Sequence, residues 1–255
     1  MMNNANEISA QTKLFGFIGE HAGSSRFSTV INKMFKSQGK DMMMIPMNIR
    51  SDDFFFTLSN MKKSHVNGAV ISNEYVTKSV EIVDEASGLV KRSGMCDIVF
   101  REGEKLRGDI FSIRVLLEKL KDLNASKIAL IGTNPHAKAF SLMACGFQVS
   151  YFHESLEELM VFCDELELSN PDLNRLADSM RADFSGFDAV LDFSNFADFK
   201  MVEKFAPYNF DMKNTKEYSP LKTSTTHLGA NYIGYDEMID ELTAQAYKII
   251  INTKN

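Results

Sequence analysis

The chain has 255 residues, of which 44% are hydrophobic and 24% charged, proportions that exclude disordered, collagen-like and disulfide-scaffold classes. At roughly 150 residues per domain, that length predicts two domains. A formal charge of -6 offers no global basic field, so a small-molecule partner is expected and nucleic acid is not.

The first apolar run, Lys13-Leu14-Phe15-Gly16-Phe17-Ile18-Gly19, has strand length and ends in glycine. A polar turn through His21-Ala22-Gly23-Ser24-Ser25 follows. Phe27, Val30, Ile31, Met34 and Phe35 then recur at helical spacing, and Gly39 supplies a stop. Met42 to Met47 predicts a second strand. Ser51-Asp52-Asp53 reads as an N-cap with acidic first-turn residues, leading a helix that carries Phe54, Phe55, Leu58 and Met61. Gly68 to Ser72 predicts a third strand, residues 75–86 a helix, 97–100 and 105–107 a strand pair, and 110–124 a further helix.

A second α/β unit begins at Ser126, where Lys127-Ile128-Ala129-Leu130-Ile131-Gly132 is a strand ending in glycine with a helix directly behind it. Phe147 to Phe152 and Ala189 to Phe193 read as buried strands, and Leu156 to Leu168 as helical. Tyr235 to Ile251 carries Met238, Ile239, Leu242, Ala246 and Ile249 at helical spacing. Strands alternating with helices predict parallel pairing. Glu154, Glu157, Glu158, Asp164, Glu165 and Glu167 predict a solvated acidic face.

Cys96, Cys145 and Cys163 are too far apart for a zinc or redox motif, so no metal is expected, and the apolar neighbours of Cys96 and Cys145 predict burial. The start Met1–Glu7 lacks a basic, apolar leader, and no window reaches about eighteen apolar residues, so a cytoplasmic protein without membrane contact is expected.

The order of elements and several strings resemble the shikimate dehydrogenase family, whose members reduce 3-dehydroshikimate with NADPH. His21 and Ser24 match the family's His-Ser-x-Ser-Pro loop, while Ala22 replaces one serine. Val70-Ile71-Ser72-Asn73-Glu74-Tyr75-Val76 falls on Asn-Val-Thr-x-Pro-x-Lys, anchored by Gly68 and Asp84. Gly94-Met95-Cys96-Asp97-Ile98 falls on Gly-Ala-Val-Asn-Thr, Asp109-Ile110-Phe111-Ser112 on a segment ending in aspartate, and Tyr218-Ser219-Pro220-Leu221-Lys222-Thr223 on Tyr-Asn-Pro-x-x-Thr. The family's substrate-binding glutamine aligns with Glu241 or Leu242.

The resemblance implies an amino-terminal α/β substrate-type domain over 1–112 and 235–255, the last helix returning to it, and a Rossmann-like parallel-sheet domain over 113–234. A small ligand is expected in a cleft between them, contacted by Ser24, Ser72, Asp97 and Tyr218. Family catalysis uses a lysine and an aspartate that here are Val76 and Ser112, with Lys78 the one nearby rescue. Losing a positioned acid–base group removes about 10² to 10⁴ in rate. The cofactor would be NAD or NADP on the turn Gly132-Thr133-Asn134, although Pro135 removes an amide donor and Glu154 suits a ribose hydroxyl better than a 2′-phosphate. His21 and His136 are read as structural or capping first, and Asp97 with Asp109 as a cation or amine site only second to hairpin capping. The expectation is thus a nonstandard NAD(P)-dependent oxidoreductase acting on a small hydroxy or keto carboxylate. A catalytically inactive ligand-binding protein, a pseudoenzyme on the same fold, is the alternative.

Overall fold

The computed structural model describes residues 9–213 and 218–253, so the leader reading of Met1–Glu7 lies outside it. In chain order the strands are β1 (Lys13–Gly19), β2 (Met42–Asn48), β3 (Val66–Ile71), β4 (Glu85–Ala86), β5 (Ile98–Glu102), β6 (Lys105–Asp109), β7 (Lys127–Ile131), β8 (Gln148–His153), β9 (Asp172–Arg175), β10 (Ala182–Asp183), β11 (Ala189–Asp192), β12 (Val202–Lys204), β13 (Tyr208–Asp211) and β14 (Asn231–Gly234). The helices are α1 (Phe27–Ser37), α2 (Phe54–Asn60), α3 (Val76–Val80), α4 (Gly88–Ser93), α5 (Ser112–Asp122), α6 (Pro135–Met143), α7 (Leu156–Glu165), α8 (Pro220–His227) and α9 (Ile239–Asn252).

The described chain forms two compact units, one of residues 9–91, 95–112 and 239–253, the other of 92–94 and the described part of 113–238. The first holds a sheet in the order β2-β1-β3-β5-β6-β4. β1 pairs in parallel with β2 and β3, whereas β5 runs antiparallel to β3 and β6. The strand pair read at 97–100 and 105–107 is the hairpin of β5 and β6, closed by a turn in which Gly103 adopts φ 63°. The helix expected over 75–86 stops at Val80. Asp84 accepts a hydrogen bond from Leu106 N at 2.8 Å and pairs with Lys62 at 2.7 Å, which draws the following residues into the sheet as β4 beside β6.

The helical spacing read in α1 has its physical counterpart in burial of Phe27, Ile31 and Phe35. Phe27 stacks on Phe17 with ring centroids 5.0 Å apart, and Phe35 meets Tyr247 of α9 at 5.6 Å, so α9 packs on α1. Lys40 N donates to Phe35 O and Gly39 takes φ 63°, closing α1 with the left-handed glycine that the sequence placed there. The N-cap read at Ser51-Asp52-Asp53 is corrected, since Asp53 makes no side-chain capping bond to α2.

The second unit carries a sheet in the order β14-β13-β11-β7-β8-β9, all of it parallel. Its central strands are buried apart from Lys127 at the start of β7, as a sheet covered on both faces requires. Ala129, Ile131, Val190, Phe184 and Phe199 lie in its core. The acidic residues of α7 are exposed. Cys96 and Cys163 are buried, but Cys145 is exposed, because it sits in the turn between α6 and β8 where Gly146 adopts φ 91°. Among the described residues no helix is long and apolar enough to cross a membrane.

Candidate functional site

In the first unit, β1 and β3 end side by side, Ser72 N donating to Ile18 O at 2.9 Å, and β5 begins beside them, Ile71 N donating to Asp97 O at 2.9 Å. One edge of the sheet therefore gathers Ser72 and Asp97 next to the turn that carries Ser24. That turn is held by Gly23 N, which donates to Asn48 Oδ1 at 2.7 Å from the end of β2. Ser24 is exposed, and its hydroxyl donates to His21 O at 2.8 Å. Ser72 is buried, and its hydroxyl donates to Glu74 Oε2 at 2.5 Å. The other Glu74 oxygen accepts from Glu20 N at 2.8 Å. A hydroxyl has one hydrogen, so both serines expected to contact a ligand direct theirs at acceptors of the chain itself.

Asp97 is only 2% exposed. Its carboxylate accepts from Phe111 N at 2.8 Å, from Ser112 N at 3.0 Å and from the Ser112 hydroxyl, which makes it the acceptor for the start of α5. Burial pushes its pKa up to about 6 in spite of those bonds. Asp109 has a comparable local role, its Oδ1 accepting from Ile110 N at 2.8 Å and Ser87 Oγ at 3.2 Å.

Val76, which the sequence resemblance aligns with a catalytic lysine, is a buried core residue whose carbonyl accepts from Cys96 N at 2.9 Å. Ser112, aligned with the aspartate, spends its hydroxyl on Asp97. Lys78 is exposed on α3, donates to Ser51 Oγ and lies over the Tyr75 ring, 5.7 Å from its centroid. The Tyr75 hydroxyl donates to Ile49 O at 2.6 Å and approaches Glu20 Oε1 at 3.3 Å, and its pKa is raised by burial first and by Glu20 second. Of the two residues aligned with the family's glutamine, Leu242 is buried and Glu241 half-buried. Tyr218 belongs to the second unit, where it is 58% exposed and places its hydroxyl 3.5 Å from Ala197 O.

In the second unit, Gly132 follows β7 with φ 106°, and a Cβ there would lie 2.6 Å from Phe193 O and 2.8 Å from Ser194 N. Only glycine allows this turn its close approach. Asn134 caps α6, its Oδ1 accepting from Ala137 N at 3.0 Å, and Pro135 brings no amide hydrogen. The amides of Thr133 and Asn134 are the donors this turn could offer a pyrophosphate, fewer than a glycine-rich turn provides. His136 packs on Phe193, ring centroids 6.1 Å apart, and burial lowers its pKa to about 4, so it is neutral at physiological pH and brings no charge to a phosphate.

Two features escaped the sequence reading. Arg175, at the end of β9, donates from Nε to Glu154 O at 3.1 Å, putting a guanidinium beside the strand end that reads as acidic. Lys213 reaches between two fully buried carboxylates paired in register, Asp192 of β11 and Asp211 of β13. Its Nζ lies 2.6 Å from Asp192 Oδ2, 2.9 Å from Ser194 O and 3.9 Å from Asp211 Oδ1. Asp211 also accepts from the Ser219 hydroxyl at 2.5 Å, and burial raises its pKa. The aspartates that end two adjacent strands were the available signal.

No family model matches the sequence. The chain is 26% identical over 163 residues to the shikimate dehydrogenase (NADP(+)) of Dictyoglomus turgidum, a match covering 60% of this chain and 59% of the relative. It thus spans less than two thirds of the relative it matches. Among solved structures, a shikimate dehydrogenase in complex with NADP+ superposes with TM-score 0.75 at 17% identity, covering 97% of this chain and 93% of the other. The ligand-free 5-ketofructose reductase of a Gluconobacter strain superposes with TM-score 0.73 at 12% identity, covering 96% and 95%.

Proposed function

We infer that this chain, which belongs with the shikimate dehydrogenases by sequence and by fold, is a nicotinamide-dependent oxidoreductase of nonstandard chemistry acting on a small hydroxy or keto compound. The observation that carries the reading is Gly132. A turn with φ 106° and no room for a Cβ against Phe193 keeps the backbone approach that a pyrophosphate needs, although Asn134 and Pro135 have reduced the donors around it. A nicotinamide held there would accept or supply a hydride. Thr133 and Asn134 would donate amide hydrogens to the pyrophosphate, Glu154 would accept from ribose hydroxyls, and Arg175 beside it would pair with a 2′-phosphate. The substrate-side residues are Ser24 and Ser72, with Asp97 accepting from the amides of Phe111 and Ser112 beside them.

One observation favours the second reading, in which a ligand binds without turnover. Val76 has no proton to move, and the Ser112 hydroxyl is committed to Asp97, so the positions of the family's proton-handling pair offer no acid–base group of their own. Calorimetry with NAD+ and NADP+ separates the two readings. Saturable binding of one of them, abolished by Gly132→Ala, is expected. No binding of either at millimolar concentration removes the hydride source and leaves ligand binding without turnover.

A further inference from the structure

We propose that the end of β1 and β3 is a seat for one carboxylate, that Glu74 fills it, and that Glu74 thereby turns away small acids and leaves the site to neutral, hydroxyl-rich ligands. The proposal rests on the reading that the first unit takes a small ligand, and it names the class of that ligand. The seat is built from a backbone amide and a buried hydroxyl. Glu20 N donates to one oxygen of Glu74 at 2.8 Å, and the hydroxyl of Ser72, a residue 5% exposed, donates to the other at 2.5 Å. A Cβ on Gly19 would stand 2.9 Å from the first of those oxygens and 2.8 Å from the Ser72 Cβ, so the glycine at the end of β1 makes the space into which the carboxylate folds.

Three further polar groups of this edge are also committed within the chain. Ser24 donates to His21 O, the Tyr75 hydroxyl donates to Ile49 O, and the Asp97 carboxylate is occupied by the start of α5. What these groups turn toward a ligand is lone pairs and negative charge, from Glu74 and from Glu20. Lone pairs accept hydrogen bonds from hydroxyl groups and repel a second carboxylate. Glu74 is itself exposed, so solvent reaches the seat and a free acid can compete for it. Tethering gives the resident carboxylate an effective concentration of about millimolar or more, which dilute acids do not match.

The experiment is chemical rescue of a shortened side chain. Glu74→Ala and Glu74→Ser empty the seat, and each is compared with the wild type during thermal unfolding in sodium acetate against sodium chloride of equal ionic strength. Acetate at about ten times its dissociation constant is expected to raise the melting temperature of a shortened variant by roughly 3 °C over chloride and to leave the wild type unmoved. Glu74→Gln, whose amide still fills the space, is expected to behave as the wild type. Equal acetate response in the wild type and both shortened variants overturns the seat. The ligand class is read by comparing shikimate with its uncharged methyl ester. The wild type is expected to prefer the ester by about tenfold, and Glu74→Ala to lose that preference. A wild-type preference for the free acid overturns the proposal. Neither titration involves a nicotinamide, so failure of dinucleotide binding would remove the oxidoreductase reading and leave the seat standing.

Discussion

Asp97 should make this protein less stable as pH rises from about 4 to about 6, and replacing it with asparagine should remove that dependence. The carboxyl is 2% exposed, and burial raises its pKa from an ordinary 3.8 to about 6. The folded chain therefore holds the proton more tightly than the unfolded chain. Below pH 4 both states are protonated and the carboxyl costs nothing. Between about 4 and 6 the unfolded state releases its proton first, so stability falls, and above about 6 the loss is complete. A rise from 3.8 to about 6 corresponds to roughly 3 kcal/mol at neutral pH. In Asp97→Asn the side chain is neutral throughout, while its NH2 faces Ser112 N and gives up one acceptor, a loss of about 1–3 kcal/mol. The variant is thus expected to be the less stable protein at pH 4 and to draw level or better by pH 7. Urea melts of both proteins across that range measure the difference, which should climb by roughly 3 kcal/mol. A difference that stays constant with pH would refute the assignment of a raised pKa to Asp97.

Lys213→Met should destabilise the second unit by about 3–5 kcal/mol, because it strands the fully buried Asp192 and leaves Asp211 without its nearest cation. Lys213→Arg should lose far less, and a urea midpoint unchanged in Lys213→Met would show that the carboxylates do not need the ammonium. Of the three thiols, Cys145 alone is exposed, whereas burial pushes Cys96 up to about 12 and Cys163 up to about 11. Titration with an aromatic disulfide at pH 8 should release about one equivalent from native protein and about three after denaturation; three fast equivalents from native protein would contradict the burial.

The elements legible in the sequence are those whose burial leaves a periodic trace. α1 shows its face through Phe27, Ile31 and Phe35, and β7 shows itself as an apolar run closed by a glycine whose φ of 106° no other residue accepts easily. β9, β13 and β14 left no such trace. Asp172-Leu173-Asn174-Arg175 is a polar edge strand, and Tyr208-Asn209-Phe210-Asp211 carries an asparagine that is wholly buried. Asn209 is tolerated there because its amide donates to Ala206 O at 2.7 Å and to Asn231 O at 2.9 Å, bonds formed only once the sheet has assembled. Glu74 is likewise silent in sequence, since its partner Glu20 is brought in by strand pairing, and the Lys213 site shows only as an aspartate at the end of each of two strands.

The sequence resemblance sets Asp97 against an asparagine and Ser112 against an aspartate, as two separate departures. In space the two positions are partners. Asp97 accepts from both the amide and the hydroxyl of Ser112, so the pair holds one carboxylate, that of Asp97. The pairing has a physical consequence that neither residue type predicts alone. At the head of α5 the carboxylate is fixed by backbone amides, which favour its charge, while complete burial opposes it, and the balance leaves a pKa of about 6. Glu74 extends the same logic across the sheet edge. With Glu74 on Ser72 and Asp97 on Ser112, each serine hydroxyl facing this edge from β3 and α5 already serves an internal carboxylate, so an acidic ligand finds its donors taken. On the reading that Val76 stands at a catalytic lysine's position, restoring a lysine there alone would leave Glu74 and Asp97 on those hydroxyls, so a gain of family-like activity is expected only when all three are changed together.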